Sequence, residues 1–501
     1  MAVEAESEID IFDAVKKGDA DSVTALIDRD GTAILNKTKR DKYNSDVTPF
    51  GMAAQEGHVG VMSVMYERKP DVLQQTDTHG ANAPHEAAQE GQVAAVNKLL
   101  EWDLKLIDAR DKDGKIPFID AAWKGQIDVM ETLYAKGGKG CLTQKSKLGD
   151  SAVHWAAFNG RVAAVNQLLE WDLKLLDNGR TPFMVAATYG HVDVMEFLYA
   201  KRKDVLTKTD KNGDTALHLA ALYGHSAVVS QLLEWGGGAL LDIKNNGMTP
   251  FLLAAEKGHV GVMSVMYESK PDVSQQTDSV HGANALHFAA MNGHVAVVNQ
   301  LVEWDPKLID ARTTNVGHTP FMVAAIGGRV DVMEFLYAKR KDVLTQQNKD
   351  GDTALHFATL DGRIEVMKFL YEMDAPILQQ KGDTGWNAIH AAAQEGHVAV
   401  VNQLLEWDPK LIDARNNEGL TPFITAAIKG HVDVLEALYA ERKDLLTQKA
   451  INGDTPFMLA AYNGHVDVMK FLYAEGGEKL LTQTNKPEAT LRLCLCCERH
   501  R

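Results

Sequence analysis

Eighteen histidines, four cysteines and several short basic runs are the residues of this 501-residue chain with the means to do chemistry. Histidine serves as a metal ligand or a general base when several converge at ligand or hydrogen-bond spacing. Here they do not converge. Eight sit in Gly-His turns between the two helices of a unit, from His58 to His465, and six precede an alanine pair or its equivalent at a fixed offset, from His85 to His390. Fourteen of the eighteen therefore recur at regular positions, which predicts hydrogen bonds between neighbouring loops, not a metal or catalytic centre. Three of the cysteines (Cys494, Cys496 and Cys497) crowd "LRLCLCCERHR" with His500, a spacing too tight for a usual zinc site. Cys497 is fifth from the end, where prenylation needs the fourth. S-acylation of these thiols stays open beside the plainer reading, a disordered or truncated tail over 486–501.

Other apparent signals dissolve in the same way. "AKRKD" at 200–204 and 338–342 resembles a basic patch, yet each run ends in Asp where a helix is expected to stop, so a solvated helix terminus fits better. "AKGGKGCLT" at 135–143 lacks the spacing of a phosphate-binding loop. Trp102, Trp171, Trp235, Trp304 and Trp407 recur in "LLEW" or "LVEW", a periodicity that points to packing. No cofactor, metal or catalytic residue is expected.

Composition bounds the rest. Hydrophobic residues make up 45% and charged residues 24%, with a formal net charge of −16. An acidic total argues against a nucleic-acid binder and favours basic or neutral protein partners. No apolar run reaches the roughly 18–20 residues that span a bilayer. "MAVEAESEID" lacks the apolar core of a secretory signal, and few cysteines fit a reducing compartment, the cytoplasm with the nucleus left open.

The elements that would carry these residues emerge from self-similarity. "TPFMVAATYGHVDVMEFLYA" at 181–200 returns at 319–338 with three changes: Thr188 to Ile326, Tyr189 to Gly327 and His191 to Arg329. An alanine pair or its equivalent marks thirteen units from Ala53 to Ala460, spaced by 34 or 35 residues except for 30 between Ala156 and Ala186. A fourteenth, degenerate unit lies in "IFDAVKKGDADSVTALI" at 11–27. Two unit types alternate, "TPF…VM…LY" and "ALH…VV…LLEW", and "GHVGVMSVMYE" recurs six units apart, as duplication of blocks would produce.

Local chemistry gives each unit a shape. Thr181 caps a helix and Pro182 fits its first position. Phe183, Ala186 and Ala187 form one apolar face, and Gly190 stops the helix. A second helix buries Val194, Met195, Leu198 and Tyr199; Lys201, Arg202 and Lys203 suit its negative end. Asp210 and Gly213 then make an extended turn. One such pair cannot bury both its faces, but a stack can, so the prediction is an all-α solenoid. At about 8–10 Å per packed helix, fourteen units would extend roughly 110–140 Å.

These units resemble the ankyrin repeat. "GDTALHLAALYGHSAVVSQLLEW" at 213–235 matches the family's pattern closely, and in-phase matches cover roughly 46–485. Units of 34 residues and endings such as "LLEWDPKLID" depart from the usual family form. The organisation expected is a degenerate N-terminal capping unit over 1–47, thirteen repeats over 48–485 and the tail over 486–501. The resemblance implies a concave face of hairpins and first helices that binds one or more proteins, without catalysis, in a monomeric scaffold. Two alternatives are a regulatory or targeting subunit of a separate enzyme or membrane protein, and an effector delivered into a foreign cell.

In the family the two residues after each alanine pair point into the groove. Here the frame around them is nearly constant while they vary. Trp123-Lys124, Phe158-Asn159, Thr188-Tyr189 and Leu222-Tyr223 are four successive pairs, each with an aromatic residue and none with an acid. Trp123, Phe158, Tyr189 and Tyr223 are thus the expected contact stripe; the plainer reading is that they pack on the neighbouring hairpin or drift unconstrained. The short spacing near 171–182 lacks four residues present elsewhere, which predicts a tight Asn178-Gly179 turn and a notch inside the aromatic stretch.

Overall fold

The computed structural model describes residues 10–42, 44–177 and 179–483. Fourteen helix pairs follow one another, beginning with Ile11–Lys17 and Ala20–Asp30 and ending with Pro456–Tyr462 and Val466–Gly476. They form two compact units, one running to Asn245 and the other starting at Asn246, with seven pairs in each.

The pair Pro182–Tyr189 and Val192–Lys201 shows why the sequence folds this way. Thr181 Oγ1 accepts the Met184 N–H at 3.2 Å, satisfying one of the donors a helix start leaves unpaired. Pro182 needs no such partner. Phe183, Met184, Ala186 and Ala187 are fully buried, as are Val194, Met195 and Leu198 on the second helix. The phenylalanine after five of the six Thr-Pro pairs (Phe50, Phe183, Phe251, Phe321, Phe423) is among the largest fully buried side chains, whereas Phe457 in the last pair of helices is half-buried. Each of the five stabilises its unit by about 2–3 kcal/mol of apolar burial.

Gly190 ends the first helix at φ +83°, a left-handed conformation costly to other residues. A Cβ there would also lie 2.9 Å from Nδ1 of His225 in the next unit. The Gly-His pair is thus an inter-unit joint: glycine makes room, and the following unit's histidine fills it.

One local expectation needs correcting. The chain after each second helix is not simply an extended turn. Arg202 breaks the helix in an extended conformation, and Lys203–Leu206 then form a 3-10 turn that buries Val205 and Leu206. Pro306–Asp310 and Pro409–Asp413 do the same with Leu308, Ile309, Leu411 and Ile412. Two apolar residues in sequence are therefore tucked beneath the helix pair instead of crossing solvent. Beyond the turn, Asp210 Oδ1 accepts the N–H groups of Asn212 and Asp214, both at 2.9 Å, closing a loop tip.

Adjacent tips join through single backbone bonds, such as Lys112 N–H to the His79 carbonyl (2.9 Å) and Lys147 N–H to the Asp113 carbonyl (2.7 Å). Among the described residues, a paired strand ladder occurs at Lys39–Arg40 with Asp46–Val47 and isolated bridges at Thr76 and Thr277. The architecture is otherwise all-α.

The alternation of unit types has a packing cause. The tyrosine on one unit's second helix stacks on the tryptophan of the next: Tyr66 on Trp102 (4.4 Å), Tyr134 on Trp171 (4.2 Å), Tyr199 on Trp235 (4.4 Å), Tyr267 on Trp304 (4.1 Å) and Tyr371 on Trp407 (4.4 Å). Where one tyrosine unit follows another, Tyr337 and Tyr439 instead meet Phe369 and Phe471 edge-on.

Candidate protein-binding groove

The repeat histidines bond between units. His191, His225 and His431 each donate from Nε2 to a carbonyl of the preceding unit, those of Phe158 (2.8 Å), Thr188 (2.8 Å) and Gln394 (2.6 Å). The helix-start histidines reach the other way. His287 Nδ1 lies 2.7 Å from Asn284 Oδ1 and 3.3 Å from the Asn284 N–H, and Nε2 donates to the His318 carbonyl at 3.0 Å. Burial lowers the pKa of His287 and of His390 to about 4. No cluster of three His, Cys, Asp or Glu suited to a metal occurs among the described residues. The cysteine-rich tail lies outside them.

The sequence-derived stripe lies in the first unit. Phe158 and Tyr189 pack ring to ring at 4.2 Å. Trp123 does not reach Phe158 directly. Trp155 stands between them, edge-on to Trp123 at 6.3 Å and tilted on Phe158 at 5.4 Å. The continuous row is therefore Trp123, Trp155, Phe158, Tyr189, half-buried until Tyr189, which is 43% exposed. Tyr223 is 54% exposed but has no ring partner among the described residues, so it stands apart. Trp155 was legible in principle: it precedes Phe158 by three residues, which puts both on one helix face.

The neighbouring residues have different fates. Lys124 lies over the Trp123 ring, its Nζ 4.3 Å from the centroid. Leu222 is half-buried. Thr188 is buried, with Oγ1 donating to the Met184 carbonyl at 2.8 Å, so this side chain faces its own helix and not the groove. Asn159 Nδ2 donates to the Trp123 carbonyl at 2.8 Å. It thereby takes the acceptor that a Gly-His histidine would use, and position 161 is Arg. Arg329 and Arg363, at the same place in later units, bond through Nε to the carbonyls of Met291 (3.0 Å) and Ile326 (3.2 Å). Arg161 is exposed and its guanidinium makes no hydrogen bond or ion pair among the described residues.

A buried ionic group supports the tryptophans. Lys115 Nζ lies 5.2 Å from the ring centroids of both Trp123 and Trp155. It is 3.3 Å from Asp111 and 3.6 Å from the fully buried Asp120. Burial pushes the Asp120 carboxyl up from its ordinary value, against the pull of His85 and Lys115. One unit earlier, Glu86 holds the position of Asp120. It is buried, accepts from Gln55 Nε2 at 2.6 Å, and burial raises its pKa to about 8.

Beside the row the stack is locally open. Asn178 lies outside the described residues, but the shortened connection still brings the Arg180 carbonyl to His154 Nε2 at 2.6 Å. The loop tips at Gly80 and Gly114 press against the following tip. At Gly149 a Cβ would meet nothing within 4 Å, and Leu148 is 78% exposed. A shortened tip leaves its predecessor uncovered.

With this geometry in hand, comparison with known proteins places the fold. A family model described as ankyrin repeats (three copies) matches in overlapping tiles over residues 118–209, 203–277, 269–347, 341–413 and 408–484. The chain belongs to the ankyrin-repeat family, a class of interaction modules that generally work without catalysis. It is also 35% identical over 79 residues to a transient receptor potential cation channel subfamily A member 1 homolog of Caenorhabditis elegans. That match covers 15% of this chain and 6% of the channel. In the present chain no described helix is long and apolar enough to cross a membrane.

Proposed function

We propose that the chain is a non-enzymatic, monomeric scaffold, its repeats spanning 48–485, that binds partner proteins through the first-helix groove of its N-terminal unit. The observation that carries this reading is the row Trp123, Trp155, Phe158 and Tyr189 beside the uncovered Leu148. Frame aromatics such as Trp235 already have stacking partners in the preceding unit. The groove row leaves ring faces to solvent that the fold does not use, and clustered aromatic rings are the composition of interaction hot spots.

The test places a photo-crosslinking phenylalanine analogue at position 189 and, as a control, at position 267 on the back face. A partner captured from position 189 and absent at 267 is then purified and titrated against the wild type and W123A/F158A/Y189A. A loss of about 100-fold or more is expected from removing three hot-spot side chains. Unchanged affinity, with circular dichroism showing an intact fold, overturns the proposal.

A further inference from the structure

The overall charge of −16 misdescribes the groove. The acid is concentrated on second helices, on their 3-10 turns and in the N-terminal pair, as in "EWDPKLID" and "DAVKKGDADS". The groove-side segments of three successive repeats (109–125, 144–161 and 178–191) hold eight Lys and Arg against four Asp. Two of those four, Asp111 and Asp120, are buried against Lys115. Asp150 is 3.7 Å from Arg180. Asp113 alone of the four is exposed, 3.8 Å from Lys115, so the surface left to solvent is mainly cationic.

Three of its cations lack a hydrogen-bond or ion-pair partner among the described residues. Lys145 and Lys147, just before Leu148 in the loop tip, are exposed, and their ammonium groups make no hydrogen bond or ion pair among the described residues. Arg161 stands at the other end of the same first helix, Ala152–Phe158, released because Asn159 has taken the Trp123 carbonyl. Bases thus stand at both ends of the helix that carries Trp155 and Phe158, with the exposed Leu148 next to Lys147.

From this charge complementarity we infer that the groove around residues 123–189 recognises an acidic, extended peptide segment carrying an aromatic or aliphatic anchor. The inference rests on the groove reading given above and names the chemistry of the partner. The anchor packs on the ring row and Leu148; carboxylates pair with Lys145, Lys147 and Arg161, which gain Coulomb energy without breaking an existing ion pair. A basic or neutral partner, which the total charge favours, would face these cations unpaired.

The test is selection of a random dodecapeptide phage library on the purified full chain, followed by fluorescence anisotropy of the synthesised winners. Enrichment in Asp and Glu together with Trp, Phe, Tyr or Leu is expected. In K145E/K147E/R161E, altered only at exposed positions, the winners should weaken about 30-fold or more, and raising salt from about 50 to 500 mM should weaken wild-type binding several-fold. A selection without acidic enrichment, or winners indifferent to the charge reversal, overturns the inference. Equal binding of a single-stranded oligo-dT also overturns it, since the surface would then read any polyanion. If the winners need W123A/F158A/Y189A unmutated but ignore the charge reversal, the groove reading stands and the acidic partner falls. If neither variant weakens them, both fall.

Discussion

Replacing Glu86 with Gln should stabilise the protein by an amount that grows with pH. Glu86 is buried on the first helix Ala83–Glu90, and its carboxyl accepts a hydrogen bond from Gln55 that a glutamine oxygen can also accept. Its folded pKa of about 8 lies above the ordinary 4.5. The folded chain therefore binds one more proton than the unfolded chain across that window, and stability falls as pH rises through it. At about 1.36 kcal/mol per pH unit, the wild type loses about 3 kcal/mol by pH 7 and under 1 kcal/mol by pH 5. The Glu86→Gln chain carries no such penalty. Urea unfolding of both chains at several pH values between 5 and 8 reads the difference directly, and titrations common to both cancel. An advantage that is absent at pH 5 and reaches a few kcal/mol at pH 7 supports the buried neutral acid. A difference that does not change with pH, or a less stable variant at pH 7, refutes it.

Three further outcomes follow from the packing. His287 and His390 are held neutral with folded pKa values of about 4. Their contribution is complete above pH 6.5 and is lost as pH falls toward 4, so thermal melts should drop steeply across that window, and a flat profile would contradict the neutral-staple geometry. Trp304→Ala removes a ring stacked 4.1 Å from Tyr267 and should cost about 3–4 kcal/mol, whereas Tyr189→Ala in the groove should cost about 1 kcal/mol; denaturation midpoints rank the two. Gly190→Ala forces a left-handed alanine against His225 and should cost more than about 1 kcal/mol, with increased hydrogen exchange confined to the joint around 186–192.

Much of the frame was legible because its causes are local. Thr-Pro starts, glycine stops and alanine pairs act within a few residues, and repetition made each visible many times. The role of the histidines followed from their period. Features that depend on two units at once were not legible. Alternation of "LY" and "LLEW" units was plain in the sequence, but its cause, a tyrosine stacked on the following unit's tryptophan, needed the inter-unit geometry. The 3-10 turn hid because "KDVL" reads equally well as a charged linker. In the candidate groove, Trp155 was missed because it precedes the alanine pair, and Thr188 was included although its hydroxyl turns back to its own helix. The release of Arg161 could not be read from position 161 alone, because it depends on which side chain reaches the Trp123 carbonyl first.

The central claim is that the frame stacks and the groove of the first unit recognises. Hydrogen–deuterium exchange of the full chain, with and without the partner captured through position 189, tests it most directly. Protection concentrated in 117–124, 152–161 and 182–189 is the result this account predicts. Protection confined to the second helices, such as Val162–Trp171 and Val192–Lys201, with the first helices unchanged, would contradict it.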